Sequence, residues 1–174
     1  NYTNFNMKTR MNSAIILASG LSSRFKNKIP KQFTILHNKK LVLDFSVDAF
    51  LKNDKIDEII IVVPKKWNKK IQKRYPACKV IFGGKNRSES SHLGLKKCSQ
   101  KCEFVLIHDA ARPLISQDII NNCIMQLSNY DAVVPYLDIN DSLIEIHNKK
   151  LNYLDRQHIK LVQTPQAFKY DKVL

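Results

Sequence analysis

Two cations, Arg24 and Lys31, follow the small residues Ala18-Ser19-Gly20 within LASGLSSRFKNKIPKQF, the segment from Leu17 to Phe33. Small residues let backbone N–H groups approach phosphate oxygens, and spaced cations neutralise charge that builds up during reaction. The segment therefore has the composition of a polyphosphate cradle. It fits neither GxGxxG nor the Walker pattern, and a plain strand-to-helix turn would also account for it. Pro30-Lys31-Gln32-Phe33 weighs toward phosphate, because the proline restrains the backbone just before the second cation.

Three further segments carry polar groups in places where chemistry is done. Gly83-Gly84-Lys85-Asn86-Arg87-Ser88-Glu89-Ser90 pairs glycines, which permit positive φ and close approach of a planar ligand, with a serine that can offer a donor and an acceptor to a base edge. A helix N-cap and surface turn would explain Ser88 and Ser90 equally well. His108-Asp109-Ala110-Ala111-Arg112-Pro113 follows an apolar run. There Asp109 can accept sugar hydroxyls or help hold a cation, and Arg112 can grip a phosphate bidentately; an Asp–Arg pair bracing a loop is the alternative. His108, ending a strand, reads as a packed, hydrogen-bonded residue and stays outside the chemistry. Last comes Gln163-Thr164-Pro165-Gln166-Ala167-Phe168, in which the proline drives Thr164 toward an extended conformation with an exposed hydroxyl. Gln166 and Phe168 read as structural or functional alike.

The elements that must position these groups alternate. Apolar runs at Ala14–Leu17, Glu58–Val63, Lys79–Phe82, Phe104–Ile107 and Ala132–Pro135 predict strands. Between them Leu41–Lys52, Lys66–Arg74, Ser88–Cys98 and Ser116–Leu127 have helical spacing. Such alternation implies an α/β fold with a mainly parallel sheet covered on both faces, and ligands bind such sheets beyond the strands' carboxyl ends. From about Asp138 to Lys160 short alternating pieces and the turn-like Asn148-Lys149-Lys150 predict a projecting β-arm of the kind used in dimer contacts. Residues 1–12 read as a disordered leader and 13–174 as one domain, without internal repeats.

Composition narrows the function class. With 174 residues, 44% hydrophobic and 25% charged, the chain can build one soluble domain. No apolar run approaches the ~20 residues of a membrane helix, and the polar amino terminus lacks the features of a secretory signal. A cytoplasmic location is expected. Four cysteines without a CxxC pair or a following His predict reduced thiols and no metal site. The net charge of +14 is spread along the chain rather than interleaved with aromatics, which favours attraction of anionic substrates over nucleic-acid binding.

Taken in order, ASGLSSRF…PKQF, GGKNRSES, HDAARP and DR…QTPQAF resemble the 2-C-methyl-D-erythritol 4-phosphate cytidylyltransferase family from about Ser13 to Lys172. The resemblance implies a Rossmann-like nucleotidyltransferase fold and transfer of a cytidylyl group from CTP to a polyol phosphate, with Mg²⁺ bound mainly through the CTP phosphates. It implies that Arg24 and Lys31 are catalytic, that Ala18, Ser19, Gly20, Gly84, Arg87 and Ser90 bind the nucleotide, and that Asp109, Arg112, Ser142, Arg156 and Thr164 hold the polyol phosphate. Part of that pocket is expected from the arm of a second subunit, hence a homodimer. Departures from the family pattern are LSSR in the first loop, Lys85 where an acidic residue is common, Ser142 for Thr, and a longer Pro135–Asp141 segment similar to that of fused enzymes carrying a cyclodiphosphate synthase. The family's C-terminal portion, with a TDD-type segment and a late lysine, does not occur in these residues, which predicts an inactive truncated domain as one outcome. Ribitol-5-phosphate cytidylyltransferases share the motifs, and a non-catalytic basic nucleotide-binding or nucleic-acid-binding module is the reading from another class.

Overall fold

The computed structural model describes residues 10–20 and 29–174; Arg24 and residues 1–9 of the expected leader lie outside the described residues. Among the described residues the main sheet has six strands in the order β5-β4-β1-β6-β12-β7. These are β1 (Met11–Leu17), β4 (Glu58–Val63), β5 (Lys79–Phe82), β6 (Cys102–Asp109), β7 (Ala132–Val133) and β12 (Gln166–Lys169). The strands β5, β4, β1 and β6 run parallel, while β12 is antiparallel to both β6 and β7. The predicted strands occupy their predicted places, and EIIIVV and KVIF have the predicted bounds. Strand β1 starts at Met11 rather than Ala14, so Met11 and Asn12 belong to the sheet and not to the leader. Their pairing is polar: the Asn12 amide N–H donates to the Asp57 carboxylate at 2.9 Å, and the Ser13 hydroxyl to Glu58 at 2.8 Å.

Alternation along the strands builds two apolar layers, as a sheet covered on both faces requires. Ala14, Ile16, Ile59, Ile61, Val63 and Leu106 face Leu43, Val47 and Phe50 of α1 (Val42–Leu51), Ile71 of α2 (Asn68–Arg74) and Ile120 of α4 (Gln117–Gln126). Ile15, Leu17, Ile60, Val62, Val105 and Ile107 face Leu95 of α3 (Arg87–Leu95), with Val173 of α5 (Tyr170–Val173) packed alongside. Helix α3 lies close to β1 because Gly94 has no side chain: a Cβ there would stand 2.6 Å from Ile15 Cγ2. Asn86 caps α3 by accepting the Glu89 N–H at 2.8 Å, so the cap is Asn86 rather than Ser88 or Ser90. Ser116 caps α4.

The arm begins and ends slightly outside its expected bounds. A ladder of β8 (Tyr136–Asp138) with β11 (Lys160–Val162) leads into the hairpin of β9 (Leu143–His147) and β10 (Lys150–Leu154). A second hairpin, β2 (Ile35–His37) with β3 (Lys40–Leu41), was not foreseen. Both hairpins turn on the same tetrapeptide, His-Asn-Lys-Lys at 37–40 and 147–150. Asn38, Lys39, Asn148 and Lys149 have φ of 45°, 61°, 49° and 63°. Paired positive φ values are what a two-residue turn needs to match the twist of its strands.

Candidate active site

Parallel strands place their carboxyl ends along one edge, and the predicted segments gather there. The Ala18 N–H donates to Val62 O at 2.8 Å, Gly83 N–H to Val63 O at 2.9 Å and Ala110 N–H to Leu17 O at 3.0 Å, which stitch the loops after β1, β5 and β6 together. The first loop is then held from beneath by Gln32, a residue the sequence reading passed over within PKQF. Its side chain is 3% exposed, and its Nε2 donates to Ala18 O and Gly20 O, each at 2.7 Å. Phe33 stacks on Trp67 with ring centroids 4.1 Å apart. Both anchors follow Lys31 in a single 3₁₀ turn, Lys31–Phe33, and Gln32 so ties the exposed cation to the small-residue loop.

The base-side loop differs from its reading. Among the described residues no glycine has positive φ. Gly83 is needed for close approach instead, because a Cβ there would stand 2.3 Å from Ser19 Cβ. Ser90 is fully buried, and its hydroxyl oxygen accepts the Gly84 N–H at 3.1 Å and lies 2.8 Å from Ser19 Oγ. Its side chain therefore braces the loop rather than lying open to a base.

Arg87 opens α3 and reaches across to the next loop, donating to Asp109 Oδ1 at 3.0 Å and to Gln166 Oε1 at 3.1 Å. Asp109, the last residue of β6 rather than one beyond it, also faces Arg112, whose Nε is 3.7 Å from Oδ2. Arg112 in turn donates to Gln163. Arg87, Asp109 and Arg112 thus form one cluster with a carboxylate between two guanidiniums. A cavity of about 380 Å³ beside it is lined by Arg112, Thr164, Gln163, His108, Leu114 and Tyr136. A larger groove, about 730 Å³, runs past Lys101, Glu103 and Lys169 at the amino end of β6, away from this edge.

Thr164 departs from its reading as well. The Thr164–Pro165 bond is cis, the residue is 8% exposed, and its hydroxyl oxygen accepts the Asp109 N–H at 3.3 Å and meets His108 Nδ1 at 2.9 Å. His108 is buried as expected, and burial brings its ring down to about 4, so that it is neutral. Ser142 and Arg156 lie apart from this group on the arm, where Arg156 donates to Asn140 O. Among the described residues neither is hydrogen-bonded to the strand-end cluster. Gln166 accepts a hydrogen bond from Arg87, and Phe168 packs on the α3-side layer.

Residues 12–174 match the family model of 2-C-methyl-D-erythritol 4-phosphate cytidylyltransferase. The chain belongs to that family. A 2-C-methyl-D-erythritol 4-phosphate cytidylyltransferase of Thermotoga neapolitana is 35% identical over 165 residues, covering 92% of this chain and 74% of the relative. A bifunctional IspD/IspF enzyme of Pelagibacter ubique is 38% identical over 166 residues, 94% of this chain and 44% of the relative. Among solved structures, 4-diphosphocytidyl-2C-methyl-D-erythritol synthase of Anaerococcus prevotii superposes with a TM-score of 0.82 at 27% identity, over 94% of this chain and 72% of that one. The sheet is therefore the Rossmann-like nucleotidyltransferase fold of the cytidylyltransferase family, and the alternation of strands and helices had indicated its parallel, two-faced core.

Proposed function

We propose that the chain transfers a cytidylyl group from CTP to 2-C-methyl-D-erythritol 4-phosphate, releasing diphosphate, in isoprenoid precursor synthesis. The observation that carries this reading is the meeting, at one sheet edge, of a small-residue loop anchored to Lys31 with the Arg87–Asp109–Arg112 cluster. The acceptor phosphate oxygen attacks the α-phosphorus in line and diphosphate leaves. No covalent enzyme group is required; bringing two anions together and neutralising the charge of the transition state are the main tasks. In this reading the backbone of Ala18, Ser19 and Gly20 cradles the triphosphate, with Lys31 and, outside the described residues, Arg24 as its cations. Gly84 presents backbone to cytosine, with Ser90 behind it. Asp109 and Arg112 hold the acceptor, and Arg87 joins them rather than the nucleotide.

Mg²⁺ fits this arrangement only as a passenger of the triphosphate. Among the described residues no group of three His, Cys, Asp or Glu side chains could hold a metal ion, and both Asp109 oxygens face guanidiniums. Such an ion, when bound, would neutralise phosphate charge with few protein ligands.

The dimer reading rests on the arm. Ile146 and Tyr153 are 68% and 80% exposed, and the β9–β10 register sets them beside Leu151 and Ile144, which are also open; a contiguous apolar surface of this kind marks an interaction site. A second copy of this chain would cover it and bring Ser142 and Arg156 to the acceptor. A cytoplasmic setting suits the four free cysteines.

Diphosphate release from CTP is to be measured with 2-C-methyl-D-erythritol 4-phosphate and with ribitol 5-phosphate side by side. Turnover with the first, cut about 10²–10³-fold by Lys31→Ala, is expected. Turnover with ribitol 5-phosphate instead would shift the acceptor. Absence of both, together with salt-sensitive binding of random duplex, would favour the non-catalytic module.

A further inference from the structure

His108 is completely enclosed, with Phe50 of α1 packed on its ring at 5.3 Å between centroids. Its Nε2 is 3.1 Å from Arg112 O, and its Nδ1 is 2.9 Å from Thr164 Oγ1. The same Thr164 oxygen accepts the Asp109 N–H at 3.3 Å. A carbonyl oxygen only accepts, so Nε2 must carry a proton, and of the two rings that do so burial favours the neutral one. Nε2 carries the ring proton and donates to Arg112 O. Nδ1 is bare and accepts the Thr164 hydroxyl proton. The opposite tautomer would set a bare Nε2 lone pair against the Arg112 carbonyl. A doubly protonated ring would leave the Thr164 hydroxyl proton without this acceptor, and burial opposes that charge. The charged groups facing the ring are Asp109 and Arg112, at either end of the turn that His108 closes; Phe50 and Thr164 contribute none.

We infer that His108 is a positioning residue: as the neutral Nε2–H tautomer it takes the Thr164 proton and so makes Thr164 a pure acceptor beside Asp109 and Arg112. The inference rests on the proposal that this cluster holds the acceptor substrate. Its consequence is a polarity for the subsite. With its proton on His108 and one lone pair on Asp109 N–H, the Thr164 oxygen has a lone pair left and nothing to donate. It can receive a hydrogen bond from a substrate hydroxyl and cannot give one to a phosphate oxygen. Phosphate recognition at this end then falls to Arg112, and Thr164 reads a hydroxyl.

The tautomer is checked on the unaltered chain by long-range ¹H–¹⁵N spectra of protein labelled at histidine. His108 is expected as Nε2–H near pH 7; an Nδ1–H or doubly protonated ring overturns the inference whether or not the chain turns over CTP. The role is checked by KM for each substrate in His108→Phe, Thr164→Val and the double variant, with circular dichroism reporting the fold. Thr164→Val should raise KM for 2-C-methyl-D-erythritol 4-phosphate about tenfold, leave KM for CTP within twofold, and be largely recovered by Thr164→Ser. Because His108 acts through Thr164, the double variant should be no worse than the poorer single one, and additive losses would refute the coupling. If His108→Phe does not fold, the tautomer and the two Thr164 variants still decide. Asp109→Asn separates the layers: an unmoved KM for the polyol phosphate there removes the substrate assignment, and this inference with it, while a raised KM there beside an unmoved one in Thr164→Val removes the inference alone.

Discussion

Replacing Gly83 by alanine probes the contact between the two loops proposed to hold the nucleotide. Gly83 does not have positive φ, so alanine can adopt its backbone conformation and the cost is steric. The new methyl group would stand 2.3 Å from Ser19 Cβ, 2.7 Å from Ser19 Oγ and 3.1 Å from Ser90 Oγ. Ser19 has no free end to swing aside, since its Cβ is itself in the way. The loop after β1 must therefore move, and it is held by the two Gln32 hydrogen bonds and by Ala18 N–H on Val62 O. Overpacking costs about 1–3 kcal/mol, and loss of the Ser19–Ser90 hydrogen bond adds about 1 kcal/mol. About 2–4 kcal/mol must appear somewhere. If the loop yields, CTP affinity falls roughly 30-fold or more; if the sheet edge yields, the midpoint of thermal unfolding drops. Calorimetric titration with CTP and a thermal melt together capture both. Gly20→Ala is the steric control for the melt, because among the described residues a Cβ there meets nothing within 4 Å. A Gly83→Ala protein with native CTP affinity and a native melt would refute the reasoning.

Gln32→Leu removes both donors to the first loop while keeping a buried side chain. It should cost about 2 kcal/mol and show as a lower kcat, since the turn carrying Lys31 loses its tie; a change confined to stability would contradict that link. Asp44 is buried and accepts from Arg74, Tyr75 and the Leu41 N–H. Asp44→Ala strands those donors and should lower the urea-unfolding free energy by about 3 kcal/mol, with Arg74 partly relieved by its exposure to water. His108 titrates at about 4 in the fold against 6.5 when unfolded, so above pH 6.5 it is neutral in both states and neither favours unfolding. As pH falls from 6.5 toward 4 the unfolded chain takes the proton first, and stability declines by up to about 3 kcal/mol. Urea titrations across that range should slope less steeply for His108→Phe than for the native chain; equal slopes would show that His108 is not the group responsible.

What could be read from residues alone tracks how local its cause is. Consecutive β-branched residues dictated β4 and β5 to the residue. The start of β1 was hidden because the Asn12 backbone N–H bonds to Asp57 and the Asn12 and Ser13 side chains to Lys55 O and Glu58, partners far along the chain. Strand β12 was hidden because QAFK buries fully only Ala167 and owes its conformation to pairing with β6 and β7. Of the two His-Asn-Lys-Lys turns, the one at 147–150 was legible from Asn148-Lys149-Lys150, since Asn tolerates positive φ, whereas at 37–40 lysine in place of glycine obscured the same signal. Within the site, positions at strand ends were legible from the alternation of elements. The burial of Ser90 and Thr164 was not, because it depends on which loop lies above them.

Most polar side chains at this edge are engaged with one another: Ser19 with Ser90, Gln32 with the Ala18 and Gly20 carbonyls, Thr164 with His108, and Asp109 with Arg87 and Arg112. The two arginine pairs differ from the rest in being open to solvent, with side-chain exposures of 48%, 44% and 32% for Arg87, Arg112 and Asp109. Exposed pairs of this kind are worth at most about 1 kcal/mol. A hydrogen bond from a guanidinium to a phosphate is charge-assisted and contributes about 1.5–3 kcal/mol, and the planar fork can make two at once. An incoming phosphate can therefore take a guanidinium from Asp109 at little cost. In the proposed reaction Asp109 then serves first as the counter-ion that keeps both arginines aimed at the edge, and afterwards as a carboxylate freed to accept substrate hydroxyls.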